Sequence, residues 1–272
     1  MAWKRYEVIF RLRTPAHIGW SKVGNVQRTR PYLTGRVVWG ALTMRLTRDM
    51  IASPTAHDYQ HIGKEVHQSL AVTYFYPAIA NDEGYQIAWP WEDSANFRYR
   101  FLSSYASTAL SYPQQSAATG MLHEVECIVP HTIDCGKATF FVGYIFVSDG
   151  CTLPWQAACQ RLQVGGERGY GWGDLKLIRC CKSDAPLFDG QAVFDGSNER
   201  PALQLMAGQS LLAHMHASGA QVDGALEPVV GREWRQHPGQ HVALSGICFV
   251  PGSKLQTNTH VVIEDFGIWR AV

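Results

Sequence analysis

No stretch of the 272 residues approaches the ~20 consecutive apolar residues that a membrane-spanning helix needs. The first residues, MAWKRYEVIF followed by arginines at 11 and 13, lack the apolar core of a signal peptide. No membrane partner is expected. The seven cysteines are odd in number and form no C-x-x-C pattern, which argues against a disulfide framework. Free thiols in a reducing, cytoplasmic location are the expectation. There is no G-x-S-x-G, no P-loop and no H-E-x-x-H, so the common hydrolase, nucleotidase and metalloprotease signatures are missing. His57 and His61 have helical i, i+4 spacing, and Glu65 or His67 could add a ligand, but the group reads as surface histidines rather than a zinc site. His214 with His216 and the adjacent Cys180-Cys181 pair carry no metal-site pattern either. No cofactor and no metal are expected. Acidic residues are absent altogether from 14 to 48.

That gap belongs to a wider asymmetry. Residues 1–50 carry ten basic side chains against only Glu7 and Asp49, a net +8, while the remaining 222 residues carry 14 basic and 21 acidic groups, a net −7. Eight of the ten are arginine, the residue suited to planar, bidentate phosphate contacts. The pattern points to an anionic polymer partner. A second feature is the run Gly165-Gly166-Glu167-Arg168-Gly169-Tyr170-Gly171-Trp172-Gly173, with five glycines in nine residues. Glycine permits close backbone approach, while arginine and aromatics can hold phosphates and stack bases.

Residues 5–13 alternate, with Tyr6, Val8, Phe10 and Leu12 on one face and an arginine-rich second face, as in a half-buried strand. The spacing predicts a loop over 14–34, a helix from Gly35 to about Ile51, a short helix over 55–70 and a strand pair around Asn81–Gly84. A polar, irregular segment over 92–120 follows, then strands over 122–130 and 138–147, a helix over 152–164, the glycine loop and a strand over 174–180. That order predicts an α+β fold, a ferredoxin-like (RRM-like) βαββαβ unit over 1–181. The turn-rich stretch from 182 predicts a boundary, with 182–272 forming a β-rich part, a candidate for a degenerate second ferredoxin-like unit.

The segment holding Tyr32, Leu33, Gly35, Gly40, Ala41 and Leu42 resembles the Y-[IL]-P-G-S-S-[LI]-[KR]-G-A-L pattern of RAMP proteins, the repeat-associated subunits of CRISPR effector complexes. It departs at Thr34, where the family usually has proline, and at Val37-Val38-Trp39. Residues 165–173 resemble the family's glycine loop, and Glu126–Lys137 is similar to its E-x-I-x-P-G-T-x-F-x-G-x-[IL] stretch, with His131 in place of glycine and Cys135 departing from the hydrophobic edge. The matches fall in order over residues 15–180. The resemblance implies binding of CRISPR RNA (crRNA) within a type III-like effector, with large and backbone subunits as partners and target RNA met indirectly.

Backbone subunits that cleave target RNA carry an aspartate in the loop after the first strand, which 14–48 lacks. Precursor-cleaving members often use a histidine, for which His17 is the candidate, with Lys22 and Tyr32 nearby in sequence. Their glycine loop usually lies near the C-terminus, whereas about 100 residues follow it here. The expectation is therefore a non-enzymatic subunit that caps the 5′ repeat-derived handle. Lys22, Arg28, Arg30 and Arg36 are the phosphate-binding candidates, Gly166, Arg168, Gly169, Tyr170, Gly171 and Trp172 the loop contacts, and His17 and Trp20 partners for a handle base. An endoribonuclease using His17, or a guide-binding backbone subunit without its aspartate, are the alternatives.

Overall fold

The alternation over 5–13 produces β1 (Trp3–Leu12), the central strand of the computed structural model, which describes residues 2–233 and 239–272. After it come β2 (Gly19–Val23), β3 (Val26–Thr29), α1 (Gly35–Met50), α2 (Ala56–Ser69), β4 (Leu70–Val72), β5 (Tyr76–Asn81), β6 (Gly84–Ile87), α3 (Ser94–Phe101) and β7 (Leu102–Ser107). The chain continues through β8 (Leu110–Ser111), β9 (Ser116–Ala117), β10 (His123–Ile128), β11 (Thr139–Ser148), α4 (Trp155–Cys159), β12 (Leu162–Gln163) and β13 (Asp174–Lys182). The main sheet runs β12-β13-β1-β11-β5-β6, with antiparallel pairing between neighbours. Reading β1, α1, β5, β11, α4 and β13 in chain order gives the expected βαββαβ unit.

Val8, Phe10 and Leu12 bury one face of β1 beneath a helical layer. α1 supplies Val38, Ala41, Leu42 and Leu46, an apolar stripe at helical spacing. Thr55 caps the start of α2, its backbone N–H donating to the Asp58 carboxylate (2.7 Å), half of a capping box. The helix expected over 152–164 is cut to the five residues of α4, because the chain turns at Gln160 and pairs as β12.

The second face of β1 is open at Arg11, and the expectation of an arginine-rich outer surface is corrected at Arg5. Arg5 is buried and donates to the carbonyls of Ser183 (2.9 Å) and Ala185, with Phe194 and Tyr144 rings 5.6 and 5.9 Å from its guanidinium. Trp3, Tyr76, Tyr144 and Phe146 share this second core with Leu203, Leu211, Met215 and Trp269 of the later chain. That later part holds β14 (Val193–Asp195), β15 (Ala202–Leu205), β16 (Met215–His216), β17 (Val222–Asp223), β18 (Leu226–Glu233), β19 (His241–Phe249), β20 (Lys254–Leu255), β21 (Thr259–Ile263) and β22 (Trp269–Ala271). Seven of these strands form one sheet, β14-β15-β21-β22-β16-β19-β18, so the C-terminal part is β-rich as its sequence predicts.

Two loop expectations are also corrected. Residues 14–34 contain the hairpin β2–β3, turned at Gly24 with φ +58°. Within 92–120 lie α3, whose Asp93 cap accepts from the Asn96 N–H (3.1 Å), then β7 and the small β8–β9 hairpin. β2, β3, β10 and β7 make a second sheet.

His67, at the end of α2, joins the helical layer to the later chain. Its ring lies flat on Trp39 (4.8 Å between centroids) and edge-on to Phe266 (4.6 Å). Burial lowers its pKa to about 4; the nearby charges of Arg200 and Arg36 act in the same direction and those of Asp265 and Glu233 oppose them. An unfolded histidine protonates near 6.5, so this site costs stability as pH falls from there towards 4, by roughly 3 kcal/mol at the lower end. Thermal melts across that range should show the loss, and His67→Phe should flatten the dependence. An unchanged slope in that variant would assign the acid response elsewhere.

Candidate nucleic-acid interface

The glycine loop is pinned onto the segment that leaves β1. Gly173 N–H donates to Pro15 O (2.7 Å), Gly166 N–H to His17 O (2.8 Å) and Val164 N–H to Gly173 O (2.9 Å). Thr14 Oγ1 donates to Gly171 O (2.8 Å) and accepts from Asp174 N–H (3.0 Å). From below, the Gln163 amide donates to the carbonyls of Arg168 (3.0 Å) and Trp172 (2.9 Å). The glycines have separate reasons. Gly165 and Gly173 have φ of +78°, and a Cβ on them would meet backbone oxygen at 2.3 and 1.8 Å. A Cβ on Gly169 or Gly171 would meet nothing within 4 Å, so that part of the loop is open to a ligand. Here Tyr170 projects outward, 84% exposed, whereas the exposed Arg168 reaches back to α1, its guanidinium donating to Met44 Sδ (3.0 Å).

His17 lies beneath this loop rather than beside it. It is buried, and its Nδ1–H donates to Glu126 O (2.7 Å). A carbonyl can only accept, so a neutral His17 keeps its lone pair on Nε2. A Cβ on Gly166 would sit 3.1 Å from the ring. The residue holds β10, the 14–18 segment and the glycine loop together.

Across the second sheet Lys22, Gln27, Val125 and Tyr105 are in register. Directly paired residues share a face. Tyr105 meets Trp172 of the loop edge-on (6.3 Å), so Trp172 joins the face that carries Lys22 and Tyr105. Neither Lys22 nor Arg168 has a carboxylate partner among the described residues.

The three arginines expected on this surface are held elsewhere. Arg28 donates to Glu126 Oε2 (3.0 Å); the same carboxylate accepts from Thr29 N–H (3.0 Å) and Arg98 (2.8 Å). Arg36 bonds Ser245 Oγ (2.8 Å), lies 3.7 Å from Glu233 and stacks on Phe266 at 3.5 Å. Arg30 donates to Glu227 Oε1 (2.8 Å), and Trp20 Nε1–H to Glu227 Oε2 (3.0 Å). Arg30 and Arg36 are thus contacts to the later chain, not an open phosphate groove, while Trp20, though bonded to Glu227, stays 53% exposed. Much of the charge asymmetry read from the sequence closes internally, with Lys4 and Arg13 also paired to Asp149 and Asp174.

Glu227 anchors a directed chain. Tyr74 and His214 are buried, and burial raises the pKa of Tyr74 while lowering that of His214. The Tyr74 O–H therefore donates to His214 Nδ1 (2.6 Å), and His214 Nε2–H donates to Glu227. Sequence reasoning missed Glu126, Arg98, Tyr105 and Glu227. Only Glu126 carried a signal, as the first residue of the third motif. Gly35 in the first motif also finds its reason, since a Cβ there would meet Phe266 O at 2.1 Å. Among the described residues no group of three or more His, Cys, Asp or Glu is placed to hold a metal, and His61 pairs with Glu65. No described helix is long and apolar enough to cross a membrane.

No protein-family model and no curated protein matches the chain. Solved structures do. A chain in the cryo-EM structure of the Type III-B Cmr-beta bound to cognate target RNA and AMPPnP superposes with a TM-score of 0.51 at 10% identity, covering 92% of this chain and 85% of that one. A chain of the Type III-B Cmr-beta in the apo state matches at TM-score 0.41 and 11% identity, over 66% of this chain and 98% of that one. Another, from the complex bound to cognate target RNA, matches at 0.41 and 11%, over 65% and 96%. At such identities the first likeness is one of fold.

Proposed function

We propose that this chain, with a fold like that of a Type III-B Cmr-beta chain, is a non-catalytic crRNA-binding subunit of a type III-like CRISPR effector, and that it caps the 5′ repeat-derived handle. The observation that carries this reading is the glycine loop pinned on residues 14–17, with Tyr170 turned outward, Arg168 exposed without a carboxylate partner among the described residues, and Trp172 against Tyr105 of the sheet that carries Lys22. Cations there hold phosphates and aromatic faces stack unpaired bases, as single-stranded RNA requires. The three RAMP-like motifs support the same reading. Burial of His17 beneath the loop, with Nδ1–H given to a carbonyl, favours a structural role over catalysis on a 2′-hydroxyl. The large and backbone subunits would be its neighbours, with target RNA met through the guide.

One observation favours a second reading, a guide-binding backbone subunit. The β8–β9 hairpin exposes Leu110 and Tyr112, the latter 85% exposed, which are side chains able to wedge between bases. Crosslinking and sequencing of RNA bound to the protein in cells that express its neighbouring genes separates the two. Crosslinks at one constant RNA end fit capping, whereas crosslinks spread along a variable guide fit the backbone role. In vitro, joint replacement of Lys22 and Arg168 by alanine should lower the slope of log affinity against log salt by about 0.7 per lost phosphate contact. An unchanged slope would remove these two residues from the interface.

A further inference from the structure

A second site lies at the far edge of the main sheet. β6 is five strand spacings from β12, about 25 Å from the edge that carries the glycine loop. Just after β6, Trp89 and Trp91 wall a cavity of about 300 Å3 that is also lined by Glu92, Gln191, Gln209 and Lys254. Its volume is at the low end for small-molecule sites and leaves room for one nucleotide rather than a duplex.

The wall is fixed in advance. The two indoles stack with centroids 5.3 Å apart and planes at 28°. Trp89 rests on Tyr76 (4.8 Å), whose O–H donates to Leu212 O (2.7 Å). Trp91 lies against Gly252, where φ is +92° and a Cβ would come within 2.9 Å of the indole. Both tryptophans are half-buried and line the cavity. The polar groups differ in kind. Gln209 Oε1 accepts from Met206 N–H (2.7 Å), which leaves its NH2 group to donate. Glu92 offers an acceptor, Gln191 both kinds of group, and Lys254 a cation with no carboxylate partner among the described residues. An aromatic wall, donors and acceptors at its edge and one cation are elements that recognise a nucleotide.

We propose that this cavity takes one unstacked nucleotide of single-stranded RNA, its base against Trp89 and Trp91 and its phosphate at Lys254. The choice of RNA rests on the function proposed above, whereas the pocket stands on its own geometry. The test is ultraviolet crosslinking of the full-length protein to a labelled single-stranded RNA octamer, with adducts mapped by mass spectrometry, beside affinity measurements on variants. Trp89→Leu should weaken binding about tenfold. Lys254→Ala should reduce the salt slope by about 0.7. Gln209→Glu keeps the bond to Met206 but replaces the donors with a carboxylate, so it should weaken binding in a protein that still folds.

Adducts at Trp89 or Trp91 together with these losses would establish the pocket. Adducts at Tyr170 or Trp172 alone, with the pocket variants unaffected, would overturn it and leave the glycine-loop reading standing. Adducts in the pocket without any at the loop would support the pocket and overturn the loop. Loss of RNA binding in none of the variants, or occupation of the cavity only by a neutral sugar such as methyl glucoside, would overturn the proposal.

Discussion

Glu227→Ala should destabilise the protein by about 3–5 kcal/mol, the cost of removing one partner from a buried ion pair. The residue takes hydrogen bonds from Arg30, Trp20 and His214, and Arg30 and Glu227 are only 14% and 15% exposed at their side chains. Alanine leaves the Arg30 guanidinium buried without its carboxylate and the His214 Nε2–H without an acceptor. Burial alone would raise the pKa of Glu227, but the His214 hydrogen bond and the Arg30 charge outweigh it and hold the carboxyl at about 2. Because the folded value lies below the unfolded one, the carboxylate's contribution is complete above about pH 4.5 and is lost as pH falls towards 2. It is therefore fully present near neutrality. Urea unfolding at pH 7 measures it. A fall in midpoint at constant slope is expected for Ala, with a smaller fall for Glu227→Gln, which keeps the shape and one acceptor. A loss below about 1 kcal/mol would class the pair with solvent-screened ones.

Gly173→Ala should be the most damaging single change in the glycine loop. A left-handed φ of +78° costs an alanine about 1 kcal/mol, and the new methyl would sit 1.8 Å from Val164 O. That oxygen belongs to backbone, so the loop itself must move, and overpacking of this kind adds about 1–3 kcal/mol. Any movement breaks the Val164-to-Gly173 and Gly173-to-Pro15 bonds that hold the loop in place. Loss of RNA binding should accompany the loss of stability. Gly169→Ala, which meets open space, serves as the comparison and should fold normally. Equal behaviour of the two variants would mean that close approach is not what the glycines provide.

The sequence announced what depends on local pattern. The alternation in β1, the helical spacing of Val38, Ala41, Leu42 and Leu46, and the glycine run each reported their structure directly. It did not announce which way a polar face turns. The burial of Arg5 is not legible, because alternation marks two faces but does not say that residues beyond 182 will cover the Arg5 end of the second one. Arg30 and Arg36 were read as phosphate ligands because their acids, Glu227 and Glu233, lie about 200 residues away. The β2–β3 hairpin was hidden since none of its strands alternates between buried and exposed positions. The aromatic pocket at Trp89 and Trp91 depends on Gln191, Gln209 and Lys254, which no local motif joins to it.

The placement of β1 has a further consequence for biosynthesis. The strand at the centre of the sheet leaves the ribosome before both of its neighbours, β11 and β13. Trp3 pairs with Ser148 and Tyr6 with Lys182. At ~5–20 residues per second, the nascent strand stays unpaired on both edges for on the order of 10–30 s. Throughout that interval Val8, Ile9 and Phe10 have no sheet to join, so yield in a heterologous host should depend on whatever shields them, chaperone or slow, cool expression, more than on the stability of the finished fold.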